Sequence, residues 1–212
     1  LNVVDVYHCG KKIIKDEKME VKPCPPHLKN TVHVSGFSEE RLKLKHSGEK
    51  AHVIQMLEKQ IVTKHIIEEV PCAEKDGEKY FESNEEYQKI AVIERHKNTG
   101  KMGVGIVKGY GIRGGAIASS VSHDSHNIIV VGDNDHDMAL AVKEMIRTQG
   151  GYTLVCNGEI YGTLPLPVMG LMSDAGYESV NEALARMIPK AHEMGVKDGF
   201  DPFITLSFMA LP

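Results

Sequence analysis

RGGAIASSVSHDSHNIIVVGD, residues 113–133, decides how the rest of the chain is read. Two apolar, β-branched runs at 116–121 and 128–131 flank the polar cluster His123-Asp124-Ser125-His126-Asn127. Short runs of this kind, bounded by glycine on their outer sides, read as buried strands rather than helices. Between them stand two imidazoles, a carboxylate, a hydroxyl and an amide. Such groups sit at the edge of a core only if water, a ligand or mutual hydrogen bonds satisfy them. The cluster is therefore taken as the functional edge of the domain.

Upstream, Ile90-Ala91-Val92-Ile93 is a strand that delivers Glu94-Arg95-His96 at its end, and a second strand follows at 104–107. Gly109, Gly111, Gly114 and Gly115 lack the spacing and the following helix of a dinucleotide fingerprint, so they read as turn glycines. Downstream, Met138, Val142 and Met145 fall on one face of an amphipathic helix that Gly150-Gly151 should end. Asp133, Asp135 and Asp137 lack the glycine and closing glutamate of a calcium loop and read as helix capping. Residues 152–162 form a hairpin around Asn157-Gly158, the dipeptide a type I′ turn requires. Pro165 and Pro167 keep the next segment extended and out of a central ladder. Ser179-Val180-Asn181-Glu182 reads as the capping box of a second helix, with Val180, Leu184, Met187, Ala191 and Met194 on its apolar face.

The first third looks like scaffold. Residues 3–14 read as a hairpin closed around Gly10, and the proline-bearing stretch 15–29 as a linker or surface loop. Val32 and Val34 suggest a short edge strand, and Ser38 opens a helix that Gly48 limits to about two turns at most. Residues 51–70 fit helix or strand, with propensity leaning to helix. A surface hairpin is expected around Asp76-Gly77. Both termini read as cut edges.

Composition narrows the function classes. With 212 residues, 42% hydrophobic and 25% charged, the chain can build a packed core. A net charge of -4 gives no reason to expect nucleic acid or an acidic membrane as partner. No apolar run is long enough for a membrane span. Cys9, Cys24, Cys72 and Cys156 form no CxxC pair and read as reduced thiols of a cytoplasmic protein.

Two strand ends thus present polar groups. Glu94, Arg95, His96, Ser119, Ser120, Ser125 and Asn127 are candidate substrate contacts, and His123, Asp124 and His126 candidate accessory catalytic residues. A histidine beside a carboxylate suits acid/base work; His96, His123 and His126 could also be weighed as a metal set; and the cluster could simply hydrogen-bond a tight turn. No serine lies in a GxSxG elbow.

At these residues the text resembles a known family. Lys89-Ile90-Ala91-Val92-Ile93-Glu94-Arg95-His96, Thr99-Gly100, Gly115-Ala116-Ile117-Ala118-Ser119-Ser120-Val121, the strand-flanked cluster 123–132, Leu164-Pro165-Leu166-Pro167, Gly170-Leu171-Met172-Ser173 and Asp201-Pro202-Phe203 look like the C-terminal region of adenine deaminases, in the amidohydrolase superfamily. Residues 3–14 resemble the strand pair after the amidohydrolase barrel. The resemblance implies deamination of adenine to hypoxanthine and ammonia, with manganese or iron in the complete enzyme. The family's metal-binding barrel matches nothing here, so no metal is expected on this part, nor turnover by it alone. The expected fold is α+β, or mixed α/β: residues 1–36 as the remnant of a β-sandwich domain, and residues 37–212 as a mixed-sheet domain with two main helices. Expected partners are a purine, the missing barrel and further copies in a homo-oligomer. The alternative is a non-catalytic interaction or oligomerisation module.

Overall fold

The computed structural model describes residues 3–13, 23–46, 48 and 50–210. The termini that read as cut, and much of the expected linker at 15–29, lie outside the described residues. The chain opens with the hairpin of β1 (Val6–His8) and β2 (Lys11–Ile13), closed by Cys9 and Gly10 with left-handed backbone. Both faces of this hairpin are exposed.

Val32 and Val34 do not form a strand. The segment instead crosses the sheet end, where the His33 amide donates to the Arg95 carbonyl and Val32 is buried. Ser38 precedes a single 3-10 turn, Glu39–Leu42, and makes no side-chain cap.

The stretch whose propensity leaned to helix is two antiparallel strands, β3 (Ala51–Met56) and β4 (Thr63–Glu68). Their alternation prevails: Val53 joins one core cluster while Ile54 packs against another, which is the period of a strand between two layers. The hairpin of β5 (Cys72–Lys75) and β6 (Glu78–Phe81) turns at Asp76-Gly77 as expected.

Next come β7 (Tyr87–Ile93), β8 (Met102–Lys108), β9 (Gly115–Ser119) and β10 (Ile128–Gly132), and then the helix α1 (Asp135–Thr148). The hairpin of β11 (Gly151–Cys156) and β12 (Glu159–Pro165) follows, with Asn157 and Gly158 both at positive φ. The helix α2 (Tyr177–Glu193) comes after it.

Eight of these strands form one mixed sheet in the order β12-β11-β9-β10-β7-β8-β3-β4, antiparallel throughout except between β3 and β8. Period-two alternation sends β7 to β11 into two cores. Ala91, Ile93, Ala118, Ile128 and Val130 meet Met138, Val142 and Met145 of α1 on one face. Ile90, Ile117, Ile129, Val131 and Leu154 meet Met187 and Ala191 of α2, with Phe203 and Leu206, on the other. Each large aliphatic side chain so buried contributes about 1.5–3 kcal/mol. The class is α+β with two main helices.

Two helix boundaries differ from expectation. The left-handed C-cap of α1 is Gln149 (φ 59) rather than a glycine, because its side chain works on both sides: Oε1 accepts from the Val32 amide, and Nε2 donates to the Ile146 carbonyl. α2 begins before the capping box, at Tyr177, with Gly176 as N-cap and no side-chain cap.

Candidate functional site

The strand pairings make β7, β9 and β12 finish at one end of the sheet, where β8, β10 and β11 begin. Three connections meet there: residues 94–101, the polar turn 120–127, and the extended segment after β12. The C-terminal 3-10 turn Thr205–Phe208 is tied onto the same end, since the His123 amide donates to the Ser207 carbonyl (2.7 Å) and Ser207 Oγ donates to the Val121 carbonyl.

Glu94 is committed to its own loop. Its carboxylate accepts from the amides of His96 (2.5 Å), Lys97 (2.6 Å) and Thr99 (3.0 Å) and from the Thr99 hydroxyl (2.7 Å). These donors, the Thr99 amide foremost, hold its pKa down at about 2.

Arg95 is 1% exposed, among the most buried side chains of the chain. Nε donates to the His126 carbonyl and Nη2 to the Met169 carbonyl (3.0 Å). None of the ion pairs among the described residues involves it, and burial pushes its pKa down. Both accepting residues carry left-handed backbone, His126 at φ 47 and Met169 at φ 58. His96 Nε2 lies 2.8 Å from the Ser125 carbonyl, so the ring donates from that nitrogen.

Ser119 and Ser120 are wholly buried and turned to the main chain. Ser119 Oγ accepts from the Val121 amide; Ser120 Oγ accepts from the Gly151 amide (2.7 Å) and donates to the Gly170 carbonyl (2.6 Å). Ser125 Oγ accepts from the Asn127 amide. Burial, reinforced by the nearby Arg95 charge, pushes the His126 pKa down, so this ring is neutral near pH 7.

His123 and Asp124 stand on the rim. Nδ1 of His123 lies 3.1 Å from Asp124 Oδ1, both side chains are more than half exposed, and the imidazole stacks on Phe208 with centroids 5.3 Å apart. Asp124 too has left-handed backbone, φ 64. This pair can hold and pass a proton at an open surface.

Five buried side-chain polar atoms among the described residues find no protein partner: Thr31 Oγ1, Arg95 Nη1, Ser122 Oγ, His126 Nδ1 and Asn127 Oδ1. Arg95, Ser122, His126 and Asn127 belong to the connections gathered at this end, and Thr31 to the segment that crosses it, tied there by the His33 amide on the Arg95 carbonyl. No group of three or more His, Cys, Asp or Glu among the described residues is placed to hold a metal ion, so His96, His123 and His126 do not form a metal set. Sequence reasoning singled out most of this end but not Ser122, Met169 or Phe208. Only the fold carries an apolar methionine and a phenylalanine to a polar turn, and neither leaves a local signal.

The adenine deaminase C-terminal domain model matches residues 60–212. An adenine deaminase of Desulfitobacterium hafniense is 48% identical over 207 residues, covering 98% of this chain and 36% of that protein. Adenine deaminases of Nitratidesulfovibrio vulgaris (41% identical, 98% of this chain) and Halalkalibacterium halodurans (42% identical, 100% of this chain) match over 36% and 37% of their own lengths. The chain thus spans little more than a third of the curated relatives it matches. The loops that gather His96, His123 and His126 lie within the matched region, and the chain belongs to the adenine deaminase C-terminal domain family.

Proposed function

We propose that this chain forms one wall of the purine site of an adenine deaminase, which adds water at C6 of adenine and releases hypoxanthine and ammonia. The observation that carries the reading is the gathering of all five unpartnered buried polar atoms at the end that also exposes His123 and Asp124. Buried donors and acceptors are ordinarily paired, and leaving one unpaired is destabilising. These atoms are out of reach of solvent, so an internal water, or a polar body that enters as the turn moves, completes them, while His123 and Asp124 meet such a body directly. Adenine, with ring-nitrogen acceptors and an amino donor, and the missing part of the polypeptide are both of that kind. In this arrangement His123, held by Asp124 and stacked on Phe208, carries a proton at the rim. His96, Arg95, Ser120 and Glu94 keep the turns in place.

The manganese or iron that the resemblance implies does not fit the residues described here, since no donor set for it exists among them. We infer that its ligands come from the part of the enzyme outside this chain, and no step is routed through it. The exposed hairpin β1–β2 supports placing the start of residues 1–36 in a β-sandwich shared with that part; Val32 and Val34, which pack with α1 and β10, go with residues 37–212 in the C-terminal domain. The unpaired thiols fit a cytoplasmic setting.

The rival reading is an assembly module without catalytic involvement. Its support is the outer strand β4 and the turn before it, where Ile61 (66%), Val62 (57%) and Ile67 (55%) are exposed. Alanine at His123 or Asp124 in the full-length protein separates the two. On the purine-wall reading kcat/KM for adenine falls by about 10²-fold or more, while the melting temperature stays within a few degrees. A shift in melting temperature with unchanged kinetics favours the assembly module.

A further inference from the structure

We propose that Arg95 is a positioning residue that clips the His126 turn to the Met169 turn, and so sets where His123, Asp124 and His126 stand. One planar guanidinium donates from Nε to one turn and from Nη2 to the other. Because the two donors are fixed in a single plane, they fix the two carbonyls relative to each other, which a flexible ammonium cannot do. The accepting residues are both non-glycine residues in left-handed conformation, a state that persists only where the surroundings hold it.

The packing agrees with a clip. Gly170 lies flat on the guanidinium: a Cβ there would come within 2.7 Å of Nη1 and 2.8 Å of Cζ. Ser120 bonds the Gly170 carbonyl, and His96 bonds the Ser125 carbonyl, so each turn has a second tie beside Arg95. A buried cation without a carboxylate is poorly explained by stability, since apolar side chains of similar volume usually serve that purpose as well or better. Its use here is geometric: it joins two loops that follow different strands. The consequence for turnover rests on the purine-wall reading; the clip itself does not.

The test uses the full-length protein with Arg95→Met, which removes charge and donors, and Arg95→Lys, which keeps the charge and should fold if the Met variant does not. Amide hydrogen exchange is followed in segments 122–127 and 168–172, beside kcat and KM for adenine. In Arg95→Met both segments should exchange about tenfold faster together, with the amides of β7 and β10 unmoved. Arg95→Lys should show the same linked change, smaller in size. If the ordered arrangement falls to a tenth of the population, KM rises about tenfold with little change in kcat. Acceleration in one segment only, in neither, or spread evenly over the strands overturns the clip. Linked acceleration with unchanged KM and kcat keeps the clip and removes the purine-wall reading instead.

Discussion

Glu94 shows how far a residue's role depends on what folds around it. In the sequence its carboxylate ends a strand and looks free for a ligand; in the structure four donors from its own loop occupy it. Its pKa is lowered from 4.5 to about 2, so the folded state binds its proton more weakly than the unfolded state does. The stabilisation is complete above the ordinary carboxylate value and is lost as pH falls from 4.5 towards about 2. Glu94→Gln should therefore flatten the acid-unfolding curve in that window, and parallel curves for the two proteins would show that the loop does not depend on the charge. Gly170 makes a second prediction at this scale. Its φ of +70 and the guanidinium beneath it exclude a side chain, so Gly170→Ala should lower the unfolding free energy by about 2 kcal/mol. A loss within about 0.5 kcal/mol in denaturant unfolding would mean that Arg95 is not packed there. Neither residue's role could be read from spacing, because the partners of both are set by backbone conformation.

Among the elements, α1 was legible almost whole, from its apolar face to its acidic first turn. The cap, though, is Asn134, whose Oδ1 accepts from the Asp137 amide at 2.8 Å. Asp133 faces backward and accepts from the amides of Gly114 (2.5 Å) and Gly115 (3.0 Å), tying the helix start to β9. Asn134→Ala should cost about 1 kcal/mol in chemical denaturation, as N-cap deletions do, without altering the sheet-end loops. A change smaller than a few tenths would assign the helix start to Asp133 instead. The sequence of β3 and β4 fits helix or strand, because helix propensity is a weak preference; a place in a sheet between two apolar layers decides for strand. The capping box at Ser179 was passed over because α2 starts a little earlier, at Tyr177.

The molecule as a whole brings together one end of the sheet. From the purine-wall reading, this chain alone should release no ammonia from adenine with added Mn²⁺ or Fe²⁺, while the full-length protein should. Ammonia from the isolated chain would place a complete site within it and overturn that reading. The sequence by itself determined the strands β7, β9 and β10, the Asn157-Gly158 hairpin, both helices and the polar cluster, because each is written in local periodicity and turn chemistry. It also carried the family resemblance that the comparisons bear out. Only the tertiary structure decided that Arg95 faces two carbonyls rather than solvent, and that Ser119 and Ser120 are buried in the main chain's own hydrogen bonding. It also placed Phe208 beneath His123. Those outcomes join residues far apart in the chain, and they follow from strand order and direction. Local periodicity records which face a side chain takes; it does not record which strand lies beside it.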